Sequence, residues 1–279
     1  MTSPVFGQLS QWRDTAQVSA ETARDLDSRL ELRARAEDEA AAREEYLRLL
    51  GVAPGERVLD IGCGSGVVTR AIARRVVPGG RAVGVDASPA LLAFARQHAE
   101  EAGLADAIEL HQGDCRKLPF DDGAFDASLA ATVFAHVPGV EDAISEMIRV
   151  TRPGGRVGVF DFDGDCFLIS HPDRDMTRRV VAALCDHAAV NGRLVRDLPG
   201  LFADRGIAQV QARAFMPLER EAGSFYAALA ERAGRIAAKA GAITEGEAAA
   251  WSQSLREVIQ GNRFLGGRLH VFVWGTRRR

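Results

Sequence analysis

Hydrophobic and polar positions give the chain three stretches of different rhythm. Residues 17–50 are rich in Ala, Glu, Arg and Leu and free of Pro and Gly, which predicts one or two helices. Gly51, Pro54 and Gly55 then punctuate the chain. Beyond them, apolar runs of strand length alternate with stretches of helical spacing. Arg57–Ile61 predicts a strand, Val67–Val76 a helix that stops before Pro78-Gly79-Gly80, and Arg81–Asp86 a second strand. Ser88-Pro89 places an N-cap residue before a proline at the first helical position, so a helix should run to about residue 102. Further strands are expected at 107–112, 125–132 and 156–162, with a helix over Val140–Val150. Such alternation predicts a parallel sheet with helices on both faces.

The last third changes character. Helices are expected at 173–189 and 195–204, a strand at 208–215, a long Ala/Glu-rich helical stretch at 219–260 and a closing β-rich run at 268–274. The organisation read from this is an N-terminal helical cap (1–50), an α/β core (51–216), a helical insertion acting as cap or dimer surface (217–262), and a last core strand (263–279).

Composition narrows the function classes. Of 279 residues, 47% are hydrophobic and 26% charged, the usage of an ordinary globular protein. The net charge of −3 comes without a concentrated basic face, which argues against a nucleic-acid partner. No stretch approaches the roughly 20 apolar residues of a membrane helix. Residues 1–17 lack the apolar segment of a secretory signal. Cys63, Cys115, Cys166 and Cys185 are scattered and match neither a zinc site nor an iron–sulfur cluster. Reduced thiols in a cytoplasmic chain without a metal is the expectation.

The chemistry concentrates in Val58-Leu59-Asp60-Ile61-Gly62-Cys63-Gly64-Ser65-Gly66, between a predicted strand and a predicted helix. Alternate glycines let the backbone approach a ligand, and the following helix offers its N-terminal amides. Asp86 ends the next strand, 20 residues after Gly66, where a carboxylate can accept from both hydroxyls of a ribose. A nucleoside-bearing cofactor is implied. The dinucleotide pattern G-x-G-x-x-G would need glycine at 67, where Val67 stands, and no Walker-type Gly-Lys-Ser/Thr follows.

In order along the chain, VLDIGCGSG, GVDAS, QGDCRKLPF, FDASLAATVFAHV and RPGGRVGVFDF resemble the successive motifs of class I S-adenosylmethionine-dependent methyltransferases. The branch most similar is the ubiquinone/menaquinone-methyltransferase-like one (methyltransferase type 11). The resemblance implies a Rossmann-like seven-stranded sheet of order 3-2-1-4-5-7-6 with strand 7 antiparallel. It implies that Asp60 and the Gly62-Cys63-Gly64 turn, with Gly66, approach the methionine and ribose of the cofactor. By the same resemblance Asp86 holds the ribose, Ala87 lies beside the adenine, and Asp114 and Cys115 contact the adenine amino group. Ala131 and Thr132 match contacts to the methionine portion, and Arg35 is a candidate partner for the cofactor carboxylate. The chain departs from the quinone enzymes after strand 4, where Ala135-His136 replaces an Arg-Asn pair.

The expected reaction is methyl transfer to an O, N or C nucleophile of a small molecule in specialised metabolism. His136 follows strand 4 on the ligand side and is the candidate base. Asp161, Asp163 and Asp165 alternate along strand 5, which would aim them at the crevice mouth, Asp161 toward the reaction and Asp163 toward the substrate. Arg263 and Phe264, entering the last strand, are further substrate candidates. A calcium loop is rejected because Cys166 and Pro172 replace the required Gly and Glu. Alternatives are an NAD-dependent oxidoreductase, and a cyclase or binding module that retains the cofactor without transferring methyl. A homodimer is common in enzymes of this kind and stays open.

Overall fold

The computed structural model describes residues 18–279. The beginning of the N-terminal cap, and with it the stretch read as lacking a secretory signal, lies outside the described residues. Ser19 caps α1 (Ala20–Arg35), its Oγ accepting from Thr22 N at 3.1 Å. Helix α2 (Glu37–Leu50) ends where Gly51 turns left-handed at φ 73°. The alternation then proceeds as β1 (Arg57–Ile61), α3 (Val67–Val76), β2 (Arg81–Asp86), α4 (Pro89–Glu101), β3 (Ile108–Gln112), β4 (Phe125–Ala131) and α5 (Val140–Val150). Ser88 caps α4 with Pro89 in its first turn, as the dipeptide predicts.

Strand β5 (Thr151–Ile169) follows, then α6 (Arg174–Ala188), α7 (Leu198–Asp204), β6 (Ile207–Phe215), a two-residue β7 (Leu218–Glu219), α8 (Phe225–Lys239), α9 (Glu245–Gln260) and β8 (Gly266–Arg277). The sheet runs β3-β2-β1-β4-β5-β8-β6, with β8 antiparallel to both neighbours. This is the expected order, the last strand being eighth only because β7 pairs with the start of β8. Strands β1 to β5 are parallel, so the carboxyl ends of β1, β2 and β4 lie along one edge of the sheet. A ligand crevice belongs there.

Strand β5 is much longer than the expected 156–162. After a register shift between Phe162 and Phe167 it continues against β8 to Ile169. The extension leaves the α/β core and supports a separate helical layer. In that layer Trp251, Tyr226, Phe264 and Leu255 form an apolar cluster with Val180 and Leu184 of α6. Helix α6, placed in the core by the sequence boundaries, therefore packs with the 217–262 insertion. Burying the apolar faces of α6, α8 and α9 against one another gives this layer a core of its own. On the two faces of the sheet, one cluster gathers around Phe125, Phe134 and Met147, the other around Tyr46, Phe160 and Phe272.

Candidate active site

A cavity of about 980 Å³ opens at the carboxyl edge of the sheet, between the glycine loop, α1 and the α6/α8 layer. Gly62, Cys63 and Gly64 line it, as do Asp60, Asp86, Ala87, Asp114, Cys115, Ala131 and Thr132. Nearly the whole cofactor set named from the sequence is thus brought to one place. Gly62 has φ 68°, and a Cβ there would stand 2.5 Å from Val133 Cγ2. Gly64 has φ 52°, and its Cβ would approach Leu30 Cδ1 of α1 at 3.0 Å. Gly66 is not part of the lining. It caps α3 and meets Ala95 of α4, where an added Cβ would lie 3.2 Å away, so close helix packing is its role.

Asp86 ties the loop down with both oxygens. Oδ2 accepts from Gly64 N at 2.9 Å and Oδ1 from Ser88 N at 2.8 Å. An ionised carboxylate has about four lone-pair sites, so two remain for ribose hydroxyls. Burial pushes its pKa up, against those amide donors. Asp114 both lines the cavity and caps its own turn, accepting from Arg116 N at 2.9 Å while pairing with the Arg116 guanidinium at 2.7 Å.

Asp60 is almost completely buried and accepts from Thr69 Oγ1 at 2.6 Å. Burial, with the nearby Asp86, lifts its pKa to about 7 in spite of that bond. In the unfolded chain an aspartate titrates near 3.8. The folded state therefore binds more protons between these values, and stability present below about pH 4 is lost as pH rises to about 7. Asp60→Asn is expected to flatten the fall in melting temperature across that interval, read by thermal melts of the ligand-free protein. A variant as pH-sensitive as the parent would remove Asp60 as the source.

At the end of β4, Thr132 adopts φ 57°, a genuine outlier for a β-branched residue. It is held there by Thr132 N donating to Phe160 O at 2.6 Å and by Arg33 Nη1 donating to its Oγ1 at 3.2 Å. Backbone strain of this kind collects at ligand sites. Arg33, missed in the sequence, is central. Its Nε lies 2.9 Å from Glu39 Oε1, an ion-pair contact whose angle misses a hydrogen bond. Glu39 Oε1 also accepts from Tyr226 OH at 2.8 Å. Burial opposes ionisation of Glu39, but Arg33, His270 and the Tyr226 hydroxyl outweigh it and hold the pKa at about 2. His270 Nδ1 lies 2.9 Å from the Arg268 carbonyl and Nε2 lies 3.1 Å from Arg33 Nη2. The proton is thereby assigned to Nδ1, leaving Nε2 to accept.

Arg35, the residue chosen from the sequence, is exposed and does not reach the cavity. The reason is helical phase. Leu26, Leu30 and Arg33 follow one another at i, i+4 and i+7 on the inward face, while Arg35 is two residues out of step.

His136 lines the cavity from a short turn at Phe134–His136. Burial and the Arg268 charge push its pKa down to about 3. The acidic residues of β5 do not join it. Phe160, Phe162 and Gly164 face the cavity, so the period of two turns Asp161, Asp163 and Asp165 to the other side. Asp161 accepts from Ala135 N at 2.9 Å and so braces the His136 turn. Asp163 and Asp165 both pair with Arg196, at 2.6 and 2.9 Å. Arg263 is exposed, and Phe264 is buried in the helical layer against Gly266. The last strand instead contributes Arg268 to the cavity. A strand-period count from Phe264 would have marked 266, 268 and 270 as one face.

The comparisons agree with this geometry. Residues 58–155 match the family described as a methyltransferase domain. An uncharacterized 37.1 kDa protein in transposon TN4556 of Streptomyces fradiae is 36% identical over 162 residues, 58% of this chain and 46% of that protein. The ubiquinone/menaquinone biosynthesis C-methyltransferase UbiE of Ectopseudomonas mendocina is 40% identical over 116 residues, 42% of this chain and 45% of that protein. The chain thus spans less than half the length of these curated relatives. The crystal structure of a putative methyltransferase from Bacillus halodurans superposes with a TM-score of 0.60 at 18% identity, covering 86% of this chain and 100% of that one, a likeness of fold. Among the described residues no helix is long and apolar enough to cross a membrane. Residues 58–155 thus match a methyltransferase domain, and the sheet order, the glycine loop and Asp86 have the arrangement that the resemblance to class I S-adenosylmethionine-dependent methyltransferases implies.

Proposed function

We propose that the protein methylates an O, N or C nucleophile of a small molecule, a metabolite of specialised metabolism, held between the glycine loop and the α6/α8 layer. The carrying observation is that one cavity is lined both by the nucleoside-type cradle and by His136, Phe162, Leu184, Phe225 and Leu229. S-adenosylmethionine, when bound, supplies an already activated methyl group for in-line displacement. Asp86, the Gly62–Gly64 backbone and Thr132 fit it through their remaining acceptors and bare Cα atoms. What this chain adds is alignment, which can lower a barrier by ~7–11 kcal/mol in favourable intramolecular cases. Helices α1 and α8 line the site and would limit the access of water to it once it is filled. Carbon as acceptor atom draws support from the relative described as a C-methyltransferase.

His136 is proposed to orient the nucleophile by accepting its proton in a hydrogen bond. With a pKa of about 3 it is neutral across the working range. NMR titration of the ligand-free protein is expected to show no protonation of His136 between pH 5 and 9. An inflection near pH 6.5 that disappears in His136→Gln would refute this. The function itself is tested by calorimetry with S-adenosylhomocysteine and NADH, then by methyl-labelled cofactor with candidate acceptors. Binding of the homocysteine product and movement of label support the reading. Binding of NADH alone would support an oxidoreductase, and cofactor binding without label transfer a cyclase or binding module.

A further inference from the structure

Arg268 presents an uncompensated charge. It lies in the cavity wall with Cζ 3.5 Å from the centroid of the Phe162 ring. Its Nε is buried without a hydrogen-bond partner, and among the described residues it forms no ion pair. Burial and the nearby Arg33 lower its pKa to about 10, Tyr226 and Asp161 only partly offsetting them. The acids around it are already committed. Asp161 accepts from Ala135 N and Phe162 N, and Glu39 belongs to Arg33 and Tyr226. A guanidinium partly withdrawn from water, with its Nε buried and no ion-pair partner, is destabilised until an anion meets it.

The surroundings say what shape that anion would have. The same cavity has an apolar lining from the helical layer, Leu184 and Ala188 of α6 with Leu229 and Ile236 of α8. Along the same face of α8, Arg232 and Lys239 also reach the cavity, at i and i+7. The cavity thus combines positive groups from two elements with an apolar lining.

Resting on the proposed methyl transfer, we propose that Arg268, stacked on Phe162 beside His136, docks an anionic carboxylate or phosphate group of the acceptor, whose apolar body lies between α6 and α8. The guanidinium presents a planar fork that suits either group. Docking there would set the acceptor's far end toward the glycine loop.

The test uses the protein saturated with S-adenosylhomocysteine and titrated calorimetrically with decanoate, decyl phosphate and decanamide. At least one acid is expected to bind roughly tenfold or more tighter than the amide, about 1.4 kcal/mol. Arg268→Met and Arg268→Gln are each expected to erase that preference, and the ligand-free Met variant to melt no lower than the parent. The better of the two acids tells carboxylate from phosphate. Equal binding of acid and amide, or no binding of either acid, overturns the proposal and leaves the cofactor reading intact. A loss of S-adenosylhomocysteine affinity in both variants overturns it too, by assigning Arg268 to the cofactor carboxylate. If the parent fails to bind S-adenosylhomocysteine, the methyltransferase reading falls and this proposal with it.

Discussion

Gly64→Leu is expected to abolish the thermal stabilisation that S-adenosylhomocysteine gives the parent protein, while the variant still folds. A ligand at a hundred times its Kd stabilises the folded state by about 2.7 kcal/mol, which for a chain of this size raises the melting temperature by roughly 5–10 °C. The folding penalty of the variant is bounded. A side chain at φ 52° costs about 1–2 kcal/mol, and the nearest obstacle to its Cβ is the flexible end of Leu30. The rest of the leucine must enter the cavity, because Gly64 lines it and its amide is pinned to Asp86. Binding should weaken by at least about a hundredfold, or about 2.7 kcal/mol. Gly64→Ala separates the effects, since it carries the backbone penalty with only one added carbon. Scanning calorimetry with and without ligand decides the matter. A leucine variant that keeps the full ligand-induced rise would remove the loop from the binding site.

Much of this site is readable in the chain because its signals are local. The glycines, Asp60 and Asp86 lie at strand ends within one βαβ unit, and strand pairing brings β1, β2 and β4 into line without help from distant segments. Asp114, Cys115, Ala131 and Thr132 follow from the same logic. The failures have a common cause as well. Arg35 and Arg263 lie near the right elements along the chain, whereas the facing residue is set by phase, 3.6 per helical turn and 2 per strand step. Shifting by two residues on α1 gives Arg33, and following the alternate positions of the last strand gives Arg268 and His270. The acids of β5 show the same lesson inverted, since their alternation is real but its face is fixed by Phe160 and Phe162, whose burial against the cavity wins. Arg33, Glu39, Tyr226 and His270 come from four parts of the chain and meet only after folding, so no short motif announces them. Nor does anything local show that α6 would leave the core to pack with α8 and α9.

Arg33→Met is expected to be the most destabilising of the substitutions considered, by about 3–5 kcal/mol, because it strands a buried carboxylate. Glu39 is 6% exposed, and without the guanidinium it keeps only the Tyr226 hydroxyl as a close donor. Five elements meet at this point: Arg33 of α1, Glu39 of α2, Thr132 at the end of β4, Tyr226 of α8 and His270 of β8. The loss should therefore appear both in denaturant midpoint and in cofactor affinity. The direction with pH follows from Glu39. In the parent its pKa is held at about 2, so the pair's contribution is present above pH 4.5 and lost as pH falls toward 2. In Arg33→Met the carboxyl is raised instead, and it takes up a proton in acid. The gap between parent and variant should consequently be wide at pH 8 and narrow by pH 4–5. Adding Glu39→Gln removes the stranded charge, so the double variant is expected to recover part of the stability at pH 8. Urea denaturation of the parent, both single variants and the double variant measures the coupling directly. Additive single-site losses would mean that the two residues merely fill space. A coupling of about 2 kcal/mol or more, shrinking in acid, would establish the buried ion pair as the tie that fastens the helical cap over the cofactor cradle.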